Sequence, residues 1–401
     1  MRPIPVTDFT LATALGHGRA ATLAKLEQGD TGLAKRDFET AALGTWLGVV
    51  DSLDDATLDA DFAGELAAFD CRNNRLAAAG LRADGFGERV RQAAARHGAH
   101  RVGVFLGTST SGILATEVAY RERDAATGAL PAWLHYGQTH NTYSVARYVR
   151  AALGLAGPAF VVSTACSSSA KVFANAARFI DCGLIDAAVV GGVDSLCMTT
   201  LYGFKSLELL SSDICRPFDA TRDGLSLGEA AAFALLERSP TQAPAGWLLG
   251  CGESSDGHHM SSPHPEGAGA ADAMRAALAS AGLSAQDVGY LNLHGTGTPG
   301  NDAAEAQAVR AVFGDALPCS STKGATGHTL GAAGGVEAAI SLLALQHRLL
   351  PAGLNRVEPD RTLGVNYIDT VRESALEVVA SNSFGFGGSN ACLLFGRSGA
   401  R

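Results

Sequence analysis

The chain has 401 residues, 47% apolar and 18% charged, which suits a protein with a large buried core and excludes a disordered one. Its formal net charge of −9 argues against nucleic acid as the main partner. No apolar run of about 18 residues is free of a charge or a Gly/Pro break, so no membrane span is expected.

The start, MRPIPVTDFTLATALGHG, lacks the pattern of a signal peptide. The eight cysteines form no CxxC pair, which reads as a reduced, cytoplasmic chain without a structural zinc. RVGVFLGTS (101–109) predicts the first clear strand. AFVVSTAC (159–166) predicts a second, passing through a small-residue turn into a helix from about 167. DAAVVGG (186–192) and DVGYLNLHG (287–295) are further strands, and an Ala-rich helix follows the second of these. ALPCSSTKGATGHTLGAAGG then leads into a helix from about 328, and VVASNSFGFGGSNACLLF (378–395) reads as two strand-like runs around a glycine turn. Apolar runs alternating with Ala-rich stretches argue for α/β layers with buried strands. The 159–190 and 316–350 segments share the order strand, turn, helix, with Cys166 and His328 at the two junctions. They predict two similar α/β units facing each other.

Gly295-x-Gly297-x-x-Gly300 has the outline of a dinucleotide fingerprint. Pro299 lacks an N–H inside that turn, and Asp302 and Glu305 are expected in the helix's first turn, where a pyrophosphate would bind. The glycines are better read as a tight turn into a site with His294 at its mouth. A lone cysteine is ordinarily core filling, which is the expectation for Cys71, Cys182, Cys197, Cys215, Cys251, Cys319 and Cys392. Cys166 differs because a helix N-terminus favours a thiolate and its free N–H groups can hold an oxyanion. His328, also at a helix start, is expected to be neutral through the helix dipole. Either histidine alone could be structural; two beside glycine turns point to a site. Lys323 follows a buried-looking strand and needs a partner, for which Glu337 is the candidate. Phe386, between Gly385 and Gly387–Gly388, is either a lid or part of a hairpin turn whose phenylalanines pack in the core.

TACSSS, HGTGTP, SSTKGATGHTLGAAGGVE and NSFGFGGSN together resemble the elongating β-ketoacyl-[acyl-carrier-protein] synthases, ketosynthases of the thiolase superfamily. The resemblance runs from residue 14 to the last strand and is weakest over 40–75. It implies a five-layered αβαβα fold of two halves, 1–240 with the nucleophile and dimer contacts, and 241–401 with the histidines, the lysine and a Phe gating loop. By resemblance, Cys166 takes the acyl chain, His294 and His328 stabilise the enolate, and Lys323 pairs with Glu337. The N–H groups of Cys166 and Phe386 would form the oxyanion hole. Phe386, Phe384, Gly385 and Gly387 would gate the acyl pocket. Thr296, Thr298, His259 and Ser261 would meet the malonyl or pantetheine end, near the acidic Asp256, Asp302 and Glu305. Thr110 would face the acyl pocket with either its hydroxyl or its methyl group. No bound cofactor or metal is implied; the substrates ride on the phosphopantetheine of acyl carrier protein. Partners are that carrier and a second subunit, identical or a chain-length-factor homologue.

A thiolase normally carries a second cysteine in a Cys-x-Gly turn, where this chain has Gly387-Gly388-Ser389-Asn390. A type III ketosynthase would pair its cysteine with one His and one Asn. A chain length factor typically lacks the nucleophile, whereas Cys166 is present.

Overall fold

The computed structural model describes residues 1–53 and 56–399. Ile4–Thr13 (β1), Val102–Gly107 (β2), Ala159–Val162 (β3), Ala187–Asp194 (β4) and Ala230–Glu237 (β5) form one set of strands. Their spatial order is β3-β2-β4-β5-β1; the first three are parallel and the last two join antiparallel. Gly246–Ser255 (β6), Tyr290–Asn292 (β7), Pro318–Ser320 (β8), Asn366–Tyr367 (β9), Val378–Gly385 (β10) and Ser389–Gly396 (β11) form the second. The order there is β9-β8-β7-β10-β11-β6, again parallel up to β10 and antiparallel after it. With β9 set aside as an edge addition, the two sets repeat one chain order and one pattern of directions. The expected repeat therefore extends over five strands. A short antiparallel pairing, Ile4 to Leu248 through Val6 to Gly246, joins the sets.

Helices cover both faces of each set, which explains why β4 and β5 are buried along their whole length. Arg72–Arg82 (α1), Phe86–His97 (α2) and Ser144–Ala152 (α3) pack on the outer face of the first, where Leu76, Val90 and Val149 meet Val104 and Phe233. Ser168–Asp181 (α4) is the helix that follows Cys166. Ala268–Ala281 (α5) and Pro299–Phe313 (α6) cover the outer face of the second set, through Met274 and Val309 against Leu291 and Leu394. Ala333–His347 (α7) lies with α4 between the sets: Phe173 and Ile340 share one core with Val190 and Val379. The layers are thus αβαβα. AGGVEAAISLLAL has no polar face because α7 is buried all round from Ala333 to Leu345. Gly334 sets how closely the two central helices meet, since a Cβ there would lie 2.6 Å from Ala170 N.

Two boundaries differ from expectation. The helix expected from about 328 begins at Ala333, after a 3₁₀ turn over Leu330–Ala332. Gly327 at φ 74° and Leu330 at φ 52° break the helical path there. Asp302 does lie in the first turn of α6, but Glu305 is a turn further along.

Candidate active site

Cys166 sits in the turn between β3 and α4, behind Ala165, which is held at φ 53°. Its Sγ is 3.0 Å from His328 Nε2, and both residues are buried. Burial pushes the Cys166 thiol up to about 12, against the opposing charge of Lys323. Desolvation thus works against the thiolate that the helix N-terminus was expected to favour.

The backbone of His328 is tied to the segment beside it, its N–H donating to Ser226 O at 2.8 Å and its carbonyl accepting from Gly228 N at 3.0 Å. His294 lies just beyond β7, and its ring meets that of His328 edge to face at 5.3 Å and that of Phe384 at 5.6 Å. Burial first, then the Lys323 charge, hold both imidazoles well below their ordinary value. His328 is neutral as expected, but burial rather than a helix dipole is the cause, because it precedes α7 by five residues; His294 is neutral for the same reason. His294 is buried, not at a mouth. Lys323 Nζ pairs with Glu337, donates to the His294 carbonyl and lies 3.4 Å from His294 Nδ1. Ser383 Oγ donates to the other oxygen of Glu337 at 3.3 Å.

The acidic pair on α6 lies beneath the 294–297 turn. Glu305 accepts the N–H groups of His294 at 2.8 Å and Gly295 at 2.7 Å, and the Asn382 amide at 3.1 Å. Burial nonetheless raises its carboxyl to about 7. Asp302 accepts from Phe218 N at 2.9 Å and Gly297 N at 3.2 Å. Gly295 and Gly297 both have positive φ, and a Cβ on Gly295 would lie 2.5 Å from that of Ser321.

Cys166, His294 and His328 face one cavity with Phe204, Leu209 and Leu225 on its apolar side. Thr296 and Thr298 line it, their hydroxyls 2.9 Å apart, as do Asp256 and Ser261. Asp256 accepts from Asn390 Nδ2 at 2.7 Å and His264 N at 3.0 Å. The β10–β11 hairpin presents Phe384 buried and Phe386 36% exposed, the latter ring 5.7 Å from that of Phe204. A Cβ on Gly385 would sit 2.6 Å from Thr164 O and 3.2 Å from Cys166 N, so the loop backbone runs directly beside the thiol.

Two expected positions fall elsewhere. His259 is exposed and outside the cavity lining; its Nδ1 accepts the N–H groups of Ser261 and Ser262, each at 3.2 Å. Thr110 also lies outside that lining, and its hydroxyl is committed to Asp194 at 2.9 Å. Asp194, Asn382 and Asn390 are the polar residues that the sequence reading missed. An Asp closing the apolar run AAVVGGVD was the one signal for Asp194. Of the eight cysteines only Cys166 faces this cavity. Among the described residues no cluster of side chains is suited to a metal ion, and no helix is long and apolar enough to cross a membrane.

A thiol, two neutral imidazoles and a buried Lys–Glu pair on an αβαβα scaffold define a ketosynthase-type acyltransferase. Residues 73–242 match the family model for the beta-ketoacyl synthase N-terminal domain, and residues 245–356 match that for its C-terminal domain. Nodulation protein E of Rhizobium meliloti is 38% identical over 305 residues, 74% of this chain and 75% of that protein. 3-oxoacyl-[acyl-carrier-protein] synthase 2 of Rhizobium meliloti (strain 1021) is 32% identical over 99% of both chains. The solved structure of a ketosynthase (ApeO) in complex with its chain length factor (ApeC) from Xenorhabdus doucetiae superposes with a TM-score of 0.88 at 39% identity, covering 99% of this chain and 98% of that one. The chain belongs to the beta-ketoacyl synthase family.

Proposed function

We propose that the protein carries an acyl group on Cys166 and extends it by two carbons through decarboxylative Claisen condensation with malonyl-[acyl-carrier protein]. The observation behind this reading is the contact of Cys166 Sγ with His328 Nε2 at 3.0 Å, beside the His294 ring. In the first half-reaction the thiol attacks the acyl thioester carbonyl, and its proton leaves on the departing pantetheine sulfur. The N–H groups of Cys166 and Phe386 hold the transient oxyanion. In the second, malonyl thioester loses CO2, and the electron pair left behind becomes an enolate whose oxygen is held by N–H groups of His294 and His328. The enolate carbon attacks the acyl carbonyl, the Cys166 thiolate leaves, and the β-ketoacyl product stays on the carrier. Decarboxylation supplies the carbanion, so no carboxylate base is required.

In this scheme Lys323 and Glu337 hold His294 in place, while Asp302 and Glu305 support its loop. Thr296 and Thr298 receive the pantetheine arm, with Ser261 and Asp256 beside them, and Phe386 gates entry together with Phe384, Gly385 and Gly387. His259 acts by shaping the 259–262 turn. The working halves are taken as 1–240 and 241–401. The protein works in the cytoplasm with acyl carrier protein, without a bound cofactor or metal, as part of a dimer. The match to a ketosynthase solved with its chain length factor favours a heterodimer over a homodimer.

Intact-protein mass spectrometry with acyl-carrier proteins of several chain types, followed by malonyl carrier protein, tests the scheme. An acyl adduct is expected on the wild-type chain and not on Cys166→Ala, and it should be consumed as a β-keto product forms. An adduct retained on Cys166→Ala would identify another nucleophile.

A further inference from the structure

Asp194 ends β4 and is fully buried. Its carboxylate accepts the hydroxyls of Thr108 at 2.6 Å, Ser109 at 2.5 Å and Thr110 at 2.9 Å. It also accepts the backbone N–H groups of Ser109 at 2.8 Å, Thr110 at 2.9 Å and Gly331 at 2.5 Å. Gly331 belongs to the turn that follows His328. A Cβ there would lie 2.6 Å from Asp194 Oδ2 and 2.8 Å from Ser109 N, so only glycine fits this contact. The backbone of His328 is held on one side by Ser226 and Gly228, and just beyond it Leu330 takes the left-handed conformation before Gly331 reaches Asp194. Loop 108–110 leaves β2, the strand whose counterpart in the second set is β7, which leads to His294. Each half thus uses one carboxylate, Asp194 or Glu305, to grip backbone N–H groups of the loop after its second strand.

Building on the assignment of Cys166 and His328 above, we propose that Asp194 is a positioning residue for the second half-reaction. By joining loop 108–110 to Gly331 it holds the turn after His328, and so keeps the imidazole beside Cys166 where the malonyl thioester oxygen becomes an enolate. Carboxylate is suited to this task because all six groups it meets are donors; an amide would turn an NH₂ toward one of them. A shift of about 1 Å in a catalytic group is enough to cost about 100-fold in rate.

The test compares the two half-reactions in the full chain. Asp194→Asn is expected to lower CO2 release from malonyl carrier protein by about tenfold or more in kcat, with KM and the rate of Cys166 acylation changed by no more than about threefold. Gly331→Ala, which displaces the same contact from the other side, should show the same split. Equal losses in both half-reactions that track a fall in folded protein, or normal CO2 release in a folded Asp194→Asn, overturn the proposal. If Asp194→Asn does not fold, the split or uniform loss in Gly331→Ala decides. His328→Ala is measured alongside: normal CO2 release there would sink the assignment of His328 itself, whereas its loss beside an unaffected Asp194→Asn would sink only the positioning role.

Discussion

Replacing Lys323 by Met keeps the length of the side chain and removes the cation that Glu337 faces. Both residues are about 2% exposed, so water cannot take the ammonium's place. Burial raises the Glu337 carboxyl to about 7 even beside Lys323, the main influence holding it down. Without Lys323 the carboxyl rises further, so above about pH 7 the folded variant keeps a proton that the folded wild type gives up. Unfolded Glu337 titrates alike in both proteins, so this deficit is near zero below about pH 6. It grows as pH rises above about 7, by at most about 1.4 kcal/mol per pH unit. Adding Glu337→Gln removes the carboxyl and with it this pH-dependent deficit. Decarboxylation should stay low in the double variant, because the lysine contact with the His294 carbonyl is still missing. Urea denaturation at about pH 6 and about pH 9, with CO2 release measured on the same samples, reads both effects. A deficit independent of pH, or full recovery of CO2 release in the double variant, would refute the reasoning.

His294→Ala and His328→Ala should each still take an acyl group on Cys166 yet release CO2 from malonyl carrier protein at least about 100-fold more slowly, by mass spectrometry and CO2 assay. Gly385→Ala drives a methyl group to 2.6 Å from Thr164 O beside the thiol and should slow acylation by about tenfold or more. Gly128→Ala, far from this loop in sequence, meets nothing within 4 Å but has φ 72°, so it should cost about 1–2 kcal/mol of stability and leave acylation near normal. Equal acylation rates in these two variants would remove the loop backbone from the mechanism. Both the His294 and His328 imidazoles stay neutral well below pH 6.5, so on the proposed scheme decarboxylation should hold its rate as pH falls through 6.5. A rate that titrates with an apparent pKa near 6.5 and does so equally in Glu305→Gln would show that the histidines, not the Glu305 carboxyl beneath them, are solvated during turnover.

Local signals in the sequence were sufficient for the layered α/β class, the internal repeat and the residues that the fold gathers around Cys166. Apolar runs such as DAAVVGG mark strands covered on both faces, and α7 lacks a polar face because it is central. Cys166, His294 and His328 were found because each stands beside a small-residue turn after a strand, and Lys323 because an ammonium in a buried segment must have a partner. What decided the chemistry was burial and contact between segments up to 162 residues apart. Periodicity says that Cys166 lies near a helix end; only packing shows that desolvation there works against a thiolate. The hydroxyl of Thr110 could have faced an acyl chain until the fold brought Asp194 from β4 to meet it. Asp194 was invisible for the same reason: an acidic residue after an apolar strand is usually solvated, and its six donors come from loops at 108–110 and 331 that only the folded layers place together. Residue type and local spacing determined which groups could react. Tertiary structure determined which were dry, how they were protonated and what each could touch, because those properties depend on neighbours that are distant in the chain.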